Sequence, residues 1–182
     1  MLRFGWRWVV MGIALSLLLG LRSSSVRAAS PGEPNPLEND LAIIVNTSNP
    51  VDNLSLTELR NIFLGERTHW PNGRRITLVM MEPGQPERKT LIGEVCQMDE
   101  REFSHHFLHG VFTGEVLVSP KILASPTGVR KFVFNVPGAI GYVRASEVDS
   151  SIKVMRVNER LPEDKNYILR IPGGPVREAV PQ

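Results

Sequence analysis

Cysteine is nearly absent: Cys96 is the one thiol among 182 residues, so no disulfide framework can staple the chain and an apolar core must hold it. Cys96 lies in an apolar helical pattern and reads as a small core residue rather than a nucleophile. An excess of one charge is lacking as well. The formal net charge is +2, with no basic stripe of the kind that grips a phosphate backbone, so no nucleic-acid partner is expected. No apolar run reaches the roughly 20 residues needed to span a bilayer. Catalytic signatures are missing too: there is no G-x-S-x-G elbow and no zinc helix of the H-E-x-x-H kind. An enzyme is not expected, and no cofactor is implied.

What the N-terminus does hold is an export signal. Arg3 and Arg7 precede "WVVMGIALSLLLGL", and "SVRAAS" offers small residues at Val26 and Ala28 for cleavage after Ala28. An uncleaved anchor is the alternative, but an apolar core of about 13 residues falls short of a span. Residues 1–28 are therefore expected to be a cleaved signal peptide. Its removal takes away Arg3, Arg7, Arg22 and Arg27, which turns +2 into a formal −2. The expected location is secreted and periplasmic. Residues 29–40, with three prolines among acids and asparagines, read as a disordered leader, and 172–182 as a flexible tail.

Between them, 41–171 reads as one domain. "LAIIVN" (41–46) is a continuous β-branched run, the pattern of a strand buried on both faces. "SLTELRNIFLG" opens with a capping box, Ser55 and Glu58, carries Leu56, Leu59, Ile62 and Phe63 on one face, and stops at Gly65. Pro71-Asn72-Gly73 is turn chemistry, and "ITLVMM" (76–81) is a second buried strand. A helical pattern from Pro86 turns Leu91, Ile92 and Val95 inward. Asp99 and Glu102 form another capping box, ahead of Phe103, Phe107 and Leu108. Ser125 and Pro126 begin a helix that points Val129, Phe132 and Val133 at the core. Ala139 to Val143, "IKVMRV" (152–157) and "NYILRI" (166–171) read as further strands. Strands alternating with short helices imply α/β, with a parallel or mixed sheet.

The stretches "LAIIVNTSNPVDNLSLTELRNIFLGERTHWPNG", "ITLVMMEPGQPER" and "NVPGAIGYV", in that order, with a weaker echo in "IKVMRVNERLPEDKNYIL", resemble the phosphate-type substrate-binding proteins of ABC transporters, the periplasmic binding proteins of the second structural class. The resemblance implies a single lobe of a type II periplasmic-binding-protein-like fold, with a central mixed sheet flanked by helices. It also implies a small anion such as phosphate as ligand, with a membrane permease or a second protein copy as partner.

Two loops are the candidates for that ligand. In the family pattern an arginine precedes a Gly-Ser-Gly-Thr turn at a helix start, a natural anion seat. Met81 stands at the arginine's place and Gly84-Gln85-Pro86-Glu87 at the turn, so Gly84, Gln85 and Arg88 are the candidate contacts. Pro86 removes one donor, and Glu87 competes with an anion for the helix dipole. The second loop, Asn46, Thr47 and Ser48, follows a buried strand, where open α/β sheets bind ligands, and would neighbour Gly84 if the two strands are adjacent. Both loops also read as structural turns. The alternative function is therefore a periplasmic accessory or sensory interaction module that does not transport and has lost its ligand. Glu102, His105 and His109 share one helical face, but His106 takes the place of the glutamate of a zinc helix, and no metal is expected.

Overall fold

The computed structural model describes residues 37–114 and 119–172. The expected signal peptide, the leader up to residue 36 and the tail beyond Pro172 lie outside them. In chain order the elements are strand β1 (Leu41–Asn46), strand β2 (Asn53–Leu54), helix α1 (Leu56–Phe63), strand β3 (Thr77–Met81), helix α2 (Pro86–Leu91) continuing into a π-helical turn (Ile92–Cys96), helix α3 (Glu100–Thr113), strand β4 (Lys121–Leu123), helix α4 (Pro126–Asn135), strand β5 (Ala139–Arg144), a 3-10 turn (Ala145–Glu147), and strands β6 (Ile152–Val154) and β7 (Arg156–Val157).

Five strands form a mixed sheet in the order β4-β3-β5-β1-β6, and β2 pairs with β7 beside it. β3 runs parallel to β4 and β5, whereas β1 runs antiparallel to both β5 and β6. β1 is the one strand of this sheet that opposes the rest. Leu41 to Val45 have no exposed surface, because helices cover both faces. Successive strand residues point to opposite sides: Gly141 of β5 meets Val129 and Val133 of α4, while Tyr142 beside it meets Phe63 of α1, ring centroids 6.2 Å apart. Burying each large aliphatic side chain contributes about 1.5–3 kcal/mol. The Tyr142 hydroxyl accepts from the Met81 backbone N–H at 3.1 Å, and burial holds it well above the usual phenol range, hence protonated.

Local signals in the sequence produce local structure as expected. Both capping boxes form, Ser55 with Glu58 and Asp99 with Glu102, and Ser125 caps α4 through the Gly128 N–H. Three expectations need correction. "IKVMRV" is not one strand: it breaks at Met155, whose N–H donates to Ile43 O at 2.8 Å, and its halves join different sheets. "NYILRI" forms no strand. Leu41 N–H donates to Leu169 O and Ile171 N–H to Asn39 O, so this segment follows the stretch of β1 edge that β6 leaves uncovered, making only the single bridge Asp40↔Arg170. Leu108 is 60% exposed, unlike Phe103 and Phe107.

The turn into β5 admits no side chain at Gly138. A Cβ there would stand 2.1 Å from the Arg75 carbonyl oxygen, and the Gly138 carbonyl already accepts from Trp70 Nε1 at 3.0 Å and Thr77 N at 3.1 Å. Gly138→Ala should lower stability to urea by at least about 1–3 kcal/mol, since backbone rather than a flexible side chain must yield. Gly93→Ala, whose Cβ meets nothing within 4 Å, should be neutral or gain a few tenths of a kcal/mol. Urea midpoints of the two variants check this.

Candidate functional site

The sheet topology decides whether the two candidate loops meet. Ile140, near the start of β5, pairs with Val45 at the end of β1 on one side and with Leu78 near the start of β3 on the other. Asn46 therefore leaves the sheet at the edge where β3 and β5 begin. Gly84 lies at the opposite edge, where β3 ends. The expectation that Asn46, Thr47 and Ser48 neighbour the Gly84 loop holds only if the two strands are adjacent, and that condition is not met: β5 separates β1 from β3, and the two strands run in opposite directions.

At the first edge Asn46 is buried and fully engaged. Its Nδ2 donates to the carbonyls of Val133 (3.0 Å) and Phe134 (2.6 Å), and its Oδ1 accepts from the Ser48 N–H (3.0 Å) and hydroxyl (2.7 Å). It satisfies carbonyls left free at the end of α4, where intrahelical donors run out. Thr47 and Ser48 are exposed, and Arg74 Nη1 donates to the Ser48 hydroxyl at 3.3 Å.

The other edge carries the strand, glycine turn and helix expected from "MMEPGQPER". Gly84 has φ +93°, a conformation that suits a residue without Cβ. Gln85 occupies the N-cap without a side-chain bond, and Pro86 begins the helix. Glu87 is buried, 5% exposed, and its carboxylate receives Arg144 Nε at 2.5 Å, while Arg144 Nη1 donates to Glu38 O at 2.9 Å. Arg88, also buried, forks onto Glu100 through Nε (2.9 Å) and Nη2 (2.7 Å) and donates from Nη1 to Met81 O at 2.9 Å. Its guanidinium lies 5.5 Å from the centre of the Phe103 ring. The positive end of α2 thus faces a carboxylate of the chain itself, and the candidate cation Arg88 is already committed to an acid. Outside the turn, Gly84 opens on a hollow of about 590 Å³ whose rim mixes Lys89 and Arg101 with Asp99 and Glu100.

Arg144 and Glu100 are the members of this cluster that sequence reasoning missed. Arg144 follows the apolar run "AIGYV" and lies 57 positions from Glu87, so only the parallel pairing of β3 and β5 brings it to the turn. Glu100 carried a weak signal, as an acid in the first turn of α3, but that placement is equally explained by the helix dipole.

The histidine face of α3 holds no metal set. His105 and His109 stack with centroids 6.1 Å apart, His106 Nε2 donates to Leu64 O at 2.9 Å, and Glu102 accepts from the Asp99 N–H at 2.8 Å as part of the cap. Among the described residues no three His, Cys, Asp or Glu side chains gather in metal-binding geometry.

No protein-family model matches the chain. Solved structures do. An ABC-type phosphate transport receptor from Vibrio cholerae superposes with a TM-score of 0.58 at 23% identity, over 78% of this chain and 58% of the receptor. A putative phosphate ABC transporter substrate-binding protein with bound phosphate from Clostridium perfringens gives 0.57 at 22%, over 71% and 50%. PstS from Borrelia burgdorferi gives 0.58 at 14%, over 73% and 55%. The chain shares its fold with these phosphate receptors. The resemblance read from the sequence motifs holds in three dimensions: a mixed α/β sheet flanked by helices, of the periplasmic-binding-protein type. The chain spans between half and three-fifths of the length of these receptors.

Within this receptor-like fold the two edges should respond differently to mutation. Asn46→Ala should destabilise by about 1–3 kcal/mol, because buried carbonyls lose their donors, whereas Thr47→Ala, at an exposed position, should stay within about 0.5 kcal/mol; chemical denaturation of both variants reads the contrast. Cys96 is buried, and burial pushes its thiol up to about 12. Its thiolate fraction near pH 8 is then about one part in ten thousand. The folded protein should leave a disulfide-exchange reagent almost untouched at that pH and react promptly once urea unfolds it.

Proposed function

We propose that this chain is an exported substrate-binding protein of the phosphate-receptor type, without enzymatic activity. Its ligand is a small anion such as phosphate, and its working partners are a membrane permease and a second protein surface that completes the cleft. The single observation that carries this reading is the fold shared with three phosphate receptors, in a chain that has a strand, a positive-φ glycine turn and a helix at β3, Gly84 and α2. The anion would sit at that turn, taking backbone donors from Gly84 and Gln85, with Arg88 and Arg144, each held by a carboxylate, as candidate cations.

Magnitudes say how strong such a contact can be. Three or four charge-assisted hydrogen bonds at about 1.5–3 kcal/mol each must offset an association cost of about 4 kcal/mol or more. Glu87 reduces the gain further, since it occupies Arg144 and repels the ligand. Affinity of one lobe alone should therefore lie near about 1 mM, equivalent to about −4 kcal/mol.

A second reading rests on a specific observation. The pairs Glu87–Arg144 and Arg88–Glu100 neutralise the turn without any ligand, as expected of an accessory or sensory module that keeps the fold and binds protein instead. Calorimetry with inorganic phosphate separates the two. Saturable heat in the millimolar range, strengthened about tenfold in Glu87→Gln, which frees Arg144 and removes a repelling charge, supports the receptor reading. An absence of heat in both the wild type and Glu87→Gln removes it in favour of the interaction module.

A further inference from the structure

The beginning of β3, at the edge away from Gly84, borders a second hollow that the proposed function does not use. Its volume is about 450 Å³, within the roughly 300–1,000 Å³ of small-molecule sites. β4 joins the sheet late beside it: its register on β3 starts at Val79↔Lys121, so β4 does not flank Ile76 to Leu78. The floor there is apolar, with Ile76 from the approach to β3, Phe107 from α3 and Phe132 from α4. The rim is cationic, with Arg67, Arg75 and Lys121, and no Asp or Glu lines the hollow among the described residues. Arg67 is held by Glu58 at 3.1 Å. Arg75 and Lys121 have no ion pair among the described residues.

The charge balance of this rim differs from that of the Gly84 turn, where Glu87 and Glu100 each hold an arginine. Here at least two cations face a concave, low-dielectric floor, the arrangement that focuses a positive field on one spot. A neutral apolar ligand would desolvate those cations without pairing them. A bare inorganic anion would pair them and leave the aromatic floor unused. An anion with an apolar body satisfies both, its head taking charge-assisted bonds, roughly twice as strong as neutral ones, and its body covering Phe107 and Phe132.

We propose that this hollow binds a small organic anion, an oxyanion head on an apolar body, with Arg75 and Lys121 as the head's contacts. The site lies at the opposite end of β3 from the Gly84 turn, so it stands or falls independently of phosphate binding there. Phenyl phosphate is a suitable probe, carrying a dianionic head and one ring. Titration followed by calorimetry, with backbone amide shifts at Thr77 and Lys121 as the map, should show saturable binding in the wild type. Arg75→Gln and Lys121→Gln should each weaken it about tenfold. Lys165→Gln, which removes an exposed positive charge outside the hollow, should leave it unchanged. Urea midpoints confirm that the three variants fold. The proposal is overturned by a lack of saturation, by equal weakening in Lys165→Gln, which would mean general attraction to the surface, or by phenol binding as tightly as phenyl phosphate. Displacement of the probe by an equimolar amount of inorganic phosphate would overturn it as well, because the apolar body would then contribute nothing.

Discussion

The direction of β1 is the constraint on which the rest of the structure depends. This strand is fully covered: Leu41 to Val45 lie at zero exposure, β5 pairs along one edge, β6 and the segment near Leu169 share the other, and helices pack on both faces. Nothing about that burial requires one orientation over the other, since a run of Leu, Ala, Ile and Val is equally apolar read either way. Yet the orientation fixes which loops share an edge. With β1 antiparallel to β5, the TSNP turn goes to the edge where β3 and β5 begin, and Asn46 becomes a brace for the end of α4 rather than part of a pocket beside Gly84. Had β1 run parallel to its neighbours, the two loops would have stood on one edge of the sheet.

At the Gly84 turn the decisive quantity is the balance of charge. A helix N-terminus attracts a negative group by about 0.3–1 kcal/mol when exposed and up to about 2 kcal/mol when partly buried, and Glu87 satisfies that attraction from within the chain. Being covalently attached, it loses no translational freedom in doing so, whereas a free anion must overcome about 4 kcal/mol or more. The internal carboxylate therefore wins unless the ligand collects several contacts that Glu87 does not make. Arg88 is subject to the same logic. Its fork on Glu100, its bond to Met81 O and its place over Phe103 link β3, α2 and α3, so withdrawing it for a ligand would leave Glu100 and a buried carbonyl unpaired. The cluster holds three elements in register at the turn proposed to receive the anion.

What could be read in the sequence was local. The capping boxes at Ser55 and Asp99, the proline starts at Pro86 and Pro126 and the left-handed stop at Gly65 are each determined by residues within four positions of one another, and each forms as read. Of the buried runs, 41–46 forms whole, while 76–81 begins its strand at Thr77, with Thr77 and Leu78 half-buried. The order of the motifs also carried the fold, since the resemblance read from them agrees with the mixed α/β fold that the chain shares with the phosphate receptors. Non-local facts could not be read. "NYILRI" has strand composition but finds only part of a strand edge available, β6 having taken the rest. "IKVMRV" divides at Met155 because one half completes the large sheet and the other pairs with β2, a choice no alternation pattern encodes. Arg144 reaches Glu87 only through the pairing of β3 with β5.

The same limitation explains why a cationic hollow escaped notice while the Gly84 turn drew attention. A binding loop announces itself when its donors are consecutive in sequence, as in a glycine-rich turn at a helix start. Arg67, Arg75 and Lys121 arrive from two separate turns and a short edge strand, and their apolar floor comes from α3, α4 and the approach to β3, so neither charge nor hydrophobicity clusters in the sequence. They line one hollow at the beginning of β3, which β4 does not flank. The two ends of that one strand thus differ in charge balance: where β3 ends, Arg88 and Arg144 are each held by a carboxylate of the chain, and where it begins, Arg75 and Lys121 have no ion pair among the described residues.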